Sequence, residues 1–461
     1  MSLPGPGSRR TAPEAPGAVT DTLVVGAGMA GLYAARELHR AGRDVVVLEV
    51  RDRVGGRVWS DRWEGGTIDL GASWIHGVEG NPVADLAREA GAGTLVNNAG
   101  TLDYGVRAGA VHYGADGRRL TPAECRERQR DHEAVSAGLF ALARTADPDE
   151  SLASGLRRAL ADSGLTPARA LRVLHARCRM AEDDWGAGAE ELCLSGLVTG
   201  QDHEGDEVVF PDGYGQLTRH LATGLDVRLG HRVTRVEHGD GGVTVHIDGQ
   251  GVLTARRALI TLPLGVLKEG SVTFDPALPE PKLRAVERLG MGLYDKLFLR
   301  FPRPFWDESE VIGQEGTPHG AFANWYDLRH VVGAPVLLAL NGGPVARRLQ
   351  DLDDTAVVRA ALNCLRGLYG ERVEEPSAHR VTRWGTDPYA RGAYSYPAVG
   401  SLPGDHDALA APVGGRLHFA GEATSADHSS TVHGAVLSGL REARRILGTD
   451  GGTGGSADTA R

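Results

Sequence analysis

The chain has 461 residues, 60 acidic against 50 basic, a formal net charge of −10 and 41% hydrophobic residues. The acidic balance argues against nucleic acid as a main partner and is compatible with a cationic small ligand. No apolar run reaches membrane-spanning length, and 461 residues suffice for two domains with a large core.

Residues 1–20 are rich in Pro, Gly and Ala, lack the apolar centre of a signal peptide, and are expected to form a disordered tail. "DTLVVGAGMAGLYAARELHRAGRDVVVLEV" (Asp21 to Val50) then reads as strand, glycine turn, helix and strand. Gly26, Gly28 and Gly31 give G-x-G-x-x-G, and Glu49 follows Gly26 by 23 positions. The first glycine makes the turn, the second admits a pyrophosphate, and the third lets helix pack on strand. The helix N-terminus faces the phosphates, and Glu49 accepts from a ribose hydroxyl. "RDRVGGRVWS" adds Gly55, Gly56 and Arg57, a second bare turn with one fixed cation for the same pyrophosphate. "GGTIDLGASWIHG" gives an amphipathic strand, the small turn Gly71, Ala72 and Ser73, and the aromatic Trp74.

Residues 121–196 are helical by composition. The acids of "QDHEGDE" (Asp202, Glu204, Asp206, Glu207) read as a solvated loop, with a role in receiving a distal ammonium left open. Roughly 208 to 265 is β-rich, with alternating polarity around a D-G-G turn. "LYDKLFLRFPRPFW" holds Lys296, and all but three of the 50 basic residues are arginine. A lysine kept in an apolar strand suggests a need for a compact, titratable ammonium, with a snorkelling edge-strand lysine as the alternative. "TVHGAVLSGLREARRIL" (431–447) carries a clean helical apolar face behind a Ser/Thr-rich start suited to capping. Residues 448–461 are Gly/Ser/Thr-rich and expected to be a second disordered tail. Cys125, Cys178, Cys193 and Cys364 are widely spaced, so no metal ligands are expected and a reduced, cytoplasmic setting is the default.

"GASWIHG", "LPLGVLKEGSVTF", "GLYDKLFLRFPRPFW", "RWGTDPYARGAYSY" and "FAGEATSADHSSTVHGAVLSGLREA" resemble, in order, blocks of the flavin-dependent amine oxidase family. The resemblance is strongest to polyamine oxidases and the catalytic domain of lysine-specific histone demethylase. It implies an α/β fold in which a discontinuous, Rossmann-like FAD-binding domain (21–85, 206–270, 406–447) joins an α+β substrate domain (86–205, 271–405). It also implies FAD, a small-molecule amine and molecular oxygen as reactants, while the charge balance and the lack of a membrane-length apolar run speak against a nucleic acid or membrane partner. Hydride would pass from the amine α-carbon to flavin N5, giving an imine, then an aldehyde, and hydrogen peroxide.

By the same resemblance Lys296 holds a water against flavin N5, and Trp384 and Tyr394 line the substrate side. His76 resembles a polyamine oxidase active-site histidine. Arg51, Gly56, Arg57, Gly71, Ala72, Ser73, Trp74, Val233, Gly421, Glu422, Thr431 and Val432 join the glycine motif and Glu49 around FAD. Thr431 stands where many amine oxidases carry a second cage aromatic, so the aromatic wall should be one-sided. The monoamine oxidase branch has a cysteine before the final helix; here the nearest upstream is Cys364, so FAD is expected to be non-covalent. Two rival readings stay open, an amino-acid or tailoring oxidase on the same scaffold and a non-catalytic chromatin-type module.

Overall fold

The computed structural model describes residues 20–98, 109–316 and 320–450. Two sheets organise it. The larger has eight strands, with Thr20–Val25 central and parallel to both Val45–Leu48 and Gly251–Ile260. Asp226–Arg228 extends one side, and Leu417–Phe419 pairs in parallel with Gly251–Ile260. "LVV" and "VVVL" are buried throughout, as expected of parallel strands covered on both faces. Helix Met29–Arg40 covers one face and packs against the final helix Val432–Asp450. Their approach is close, since a Cβ on Gly439 would lie 2.4 Å from Ala30 O.

The antiparallel strands Val233–Gly239, Gly242–Ile247 and Gly251–Ile260 complete this sheet, and Thr273–Asp275 adds a parallel edge. That edge lies beyond the expected boundary at 270, because its pairing partners are on the 233–239 strand. The expected tails also lose residues to structure. Thr20 already pairs with Ala255, and the final helix runs on to Asp450. The rest of both tails, 1–19 and 451–461, lies outside the described residues.

The second sheet has six strands in the order Ala378–Val381, Tyr294–Arg300, Val336–Gly342, Asn324–Asp327, Val311–Gln314, Ala110–Tyr113. Successive side chains on Tyr294–Arg300 alternate between its faces. Leu297 and Leu299 pack in a cluster with Val357, Ala361 and Leu365 of helix Asp354–Tyr369. Tyr294 and Phe298 belong to the opposite cluster, with Leu70, Trp74 and Tyr326. Lys296 shares their parity. Its strand is paired on both sides, and the residue is buried, so the edge-strand alternative is wrong. Helices Pro122–Ala143, Leu152–Asp162 and Pro167–Trp185 fill the segment expected to be helical. Thr121 and Glu124 close a capping box at its start. Among the described residues, no helix is long and apolar enough to cross a membrane.

Candidate active site

A cavity of about 1050 Å³ runs between the two sheets, and every expected site residue except Gly31 lines it. Gly31 packs instead: a Cβ there would lie 2.1 Å from Gly26 O, so helix and turn meet at van der Waals limits. Gly26 has φ +110°, a conformation that favours glycine. At Gly28 an added Cβ would meet no atom within 4 Å, so bare backbone faces the cavity where helix Met29–Arg40 begins. That helix has no side-chain cap, which leaves first-turn N–H groups as anion donors. Glu49 is buried; its carboxylate accepts from Ala27 N at 2.8 Å and Arg51 N at 2.9 Å. Arg51 pairs with Asp387 at 2.6 Å. Val233, buried on its strand, completes this end.

The middle of the cavity is built by Arg57 and Glu422. Arg57 Nη1 donates to Glu422 Oε1 at 2.8 Å and to Ala393 O at 2.9 Å. Glu422 also accepts from Ser395 Oγ at 2.6 Å and Ser430 N at 2.9 Å. Burial alone would raise its carboxyl, but Arg57 and these donors outweigh burial and hold it below the usual range. Gly71 lets the next segment press on Arg57, since a Cβ there would lie 1.8 Å from Arg57 O. Thr431 caps the final helix by accepting from Gly434 N at 2.9 Å, and Gly421 N donates to Ser438 Oγ of that helix.

Lys296, Trp384 and Tyr394 gather at the far end. Lys296 Nζ donates to Asp69 O at 2.9 Å and Ser73 Oγ at 2.5 Å, and lies 5.9 Å from the Trp74 ring centre. Burial pushes its ammonium well below the ordinary lysine range, while the nearby Asp69 carboxylate opposes that. Burial raises Asp69 in turn, against hydrogen bonds from Ser60 and Tyr214 N. Trp384 donates Nε1 to Leu70 O at 3.0 Å, and its backbone N donates to Asp295 Oδ1 at 2.9 Å. Tyr394 stands 6.1 Å from Tyr294 and donates its hydroxyl to Asp183 O at 3.2 Å. His76 is half exposed, with Nδ1 3.3 Å from Glu207 Oε1.

These donors fit FAD: a bare glycine turn and helix N-terminus for phosphate, a buried carboxylate for ribose, and a long cavity ending in aromatics. A family model described as flavin containing amine oxidoreductase matches residues 29–447. The chain belongs to that family. FAD is therefore its cofactor, and the fold is the amine oxidase fold. The chain is 37% identical over 463 residues to "Lysine-specific histone demethylase 1 homolog 2" of Oryza sativa subsp. japonica, covering 94% of the chain but 58% of that protein. It is 34% identical over 437 residues to "Polyamine oxidase 4" of the same organism, covering 92% of the chain and 89% of that protein. A solved putrescine oxidase bound to putrescine superposes with TM-score 0.77 at 23% identity, over 93% of this chain and 99% of that one, a likeness of fold.

The sequence reading missed several groups that the fold brings to the same cavity. Asp183 and Asp184 line the cavity beside Tyr394, and burial raises their carboxyls to about 8 and about 6. Asp184 is exposed and lines the cavity, where the negative charges of Asp202 and Glu207 add to the rise of its carboxyl. Asp183 Oδ2 accepts from Asn324 Nδ2 at 3.0 Å. Their only sequence signal was an acidic pair, "EDDW", late in an apolar-faced helix. Of the four loop acids, Glu207 is buried against His76, whereas Asp202, Glu204 and Asp206 are exposed. The solvated-loop reading fails for Glu207 because its neighbour Val208 is buried in a strand that pairs with Trp74–Ile75.

Proposed function

We propose that the protein oxidises a polyamine or similar alkyl amine to an imine, released as aldehyde and amine after hydrolysis, while oxygen is reduced to hydrogen peroxide. One observation carries this reading: the carboxylates Asp183, Asp184 and Glu207 line the same cavity as Trp384, Tyr394 and Lys296, and all three lie near enough to Tyr326 to add to burial in raising its phenol. Bound FAD supplies the two-electron acceptor. The reacting nitrogen must be neutral, because its lone pair forms the imine; a second ammonium on the same chain can meanwhile pair with a carboxylate. Trp384 and Tyr394 orient the chain, with aromatic faces that also attract a cation.

Two of the three ammonium protons of Lys296 are committed to Asp69 O and Ser73 Oγ, which fixes the head group. The third is left for a water in the cavity, the role we assign to this residue. His76, held by Glu207, tunes the protonation of the incoming amine. The dipole of helix Val432–Asp450 begins at Thr431 and presents positive potential to the cavity. Among the described residues no cysteine lines the cavity, which supports non-covalent FAD.

A second reading is oxidation of an N-methyl-lysine side chain, favoured by the similarity to the demethylase homologue. A peroxide-coupled screen separates them. Spermine, spermidine or an acetylated derivative should give peroxide and an aldehyde. Turnover confined to an N-methyl-lysine peptide, or to α-amino acids, overturns the polyamine reading.

A further inference from the structure

Three histidines from two distant segments of the chain meet at one wall of the cavity. His203 comes from the loop before Val208, His428 from the loop before the last helix, and His433 from that helix's first turn. Each offers a ring nitrogen within 4.8 Å of those of the other two. The His203 and His428 rings stack at 5.3 Å, and His433 stands edge-on to them at 4.9 and 5.0 Å.

The two loops are braced against each other. Gln201 N donates to Asp427 O at 2.7 Å, and Glu79 N donates to Glu204 O at 2.9 Å. Gly77 lies so close that a Cβ there would sit 2.0 Å from His203 O. The ring nitrogens are prepared as well. His428 Nδ1 lies 2.9 Å from Gln201 O, which only accepts, so Nδ1 carries the proton and Nε2 keeps its lone pair. A backbone carbonyl on the far nitrogen is how metal-binding imidazoles are commonly oriented. His203 Nε2 is buried with no hydrogen-bond partner. His433 is buried in the first turn of the final helix, behind the other two rings.

We propose that His203, His428 and His433 form a site for one divalent transition-metal ion of the zinc class. Three imidazoles suit zinc, copper or nickel rather than magnesium or calcium, which require oxygen ligands. Tetrahedral zinc with bonds near 2.0 Å needs ring nitrogens about 3.3 Å apart, so nitrogens now within 4.8 Å of one another would close by at most about 1.5 Å on binding. Three protein ligands leave a fourth position for water or another small donor from the cavity. The ion would tie the 199–205 loop to the start of the final helix, fixing one wall of the cavity.

The test uses tag-free, FAD-loaded protein stripped with a chelator and titrated with zinc chloride by calorimetry, with metal content measured after gel filtration. One zinc per chain is expected. His203→Ala and His428→Ala should each weaken binding by about tenfold or more, whereas the exposed His39→Ala should not. Cobalt loading should add absorption at wavelengths longer than the flavin bands in wild type only. The flavin spectrum reports folding, and His203→Gln replaces His203→Ala if the latter loses its flavin. Zinc bound no more tightly by wild type than by flavin-retaining His203 and His428 variants would overturn the site, leaving a packed histidine cluster.

Discussion

Arg57 Nη1 lies 2.8 Å from Glu422 Oε1, joining residues 365 positions apart in the chain. The pair ties the segment after the glycine motif to the one before the final helix, and Ser395 of the other domain donates to the same carboxylate. Arg57→Ala strands a buried carboxylate, and should cost on the order of 3 kcal/mol of stability along with FAD occupancy. The sign of the pH dependence follows from the lowered carboxyl of Glu422. Its stabilisation is present above the unfolded value and fades as pH falls through the folded one. The stability gap between wild type and variant should therefore narrow below about pH 4. Denaturation of both proteins at pH 7 and pH 3.5 checks this, and full FAD occupancy with an unchanged midpoint at pH 7 refutes it.

Lys296→Met keeps the length of the side chain and removes its donors. FAD should still bind, because the ammonium contacts Asp69 and Ser73 and not the glycine turn. Stopped-flow traces should show flavin reduction, reoxidation by oxygen, or both slowed by about ten- to a hundredfold. Wild-type rates in both half-reactions would reduce Lys296 to a structural lysine.

Asp183 gives a pH prediction of opposite sign. Burial raises its carboxyl to about 8, so the folded state holds a proton that the unfolded chain has lost above about pH 4. That contribution is complete below the unfolded value and is lost as pH rises from about 4 to about 8. Asp183→Asn, which can still accept from Asn324, should be stabilised relative to wild type at pH 8.5 and not at pH 5. Thermal melts at the two values decide it; an equal difference at both contradicts the assignment.

Acid precipitation should release FAD into the supernatant. Flavin that stays with the pellet would show a covalent bond and remove the argument from the cysteine-free cavity.

The large sheet was legible because its parallel strands are continuous apolar runs around a glycine turn, a signal contained within thirty residues of sequence. Lys296 stood out because arginine fills almost every other basic position. Thr273–Asp275 pairs beyond the boundary expected at 270, since three residues carry no periodicity that reveals a pairing partner on the 233–239 strand. Asp183 and Asp184 were invisible for another reason. Acids near a helix end look solvated unless the opposing wall is known, and that wall comes from Tyr294, Tyr326 and Tyr394, more than a hundred residues away. The three histidines lay in motifs already quoted, but only folding brings residue 203 beside 428 and 433.

We propose that carboxylates lining the cavity beside its aromatic residues select an amine with a second positive charge. Anaerobic flavin reduction by a linear diamine and by a monoamine of the same carbon length tests it most directly, in wild type and in an Asp183→Asn, Asp184→Asn double variant. Wild type should be reduced at far lower concentrations of the diamine, increasingly so from pH 6 to pH 8 as Asp184 and then Asp183 ionise. The double variant should lose most of that preference while keeping its FAD. Equal reduction by diamine and monoamine in wild type, or a preference that survives in the double variant, would contradict the account.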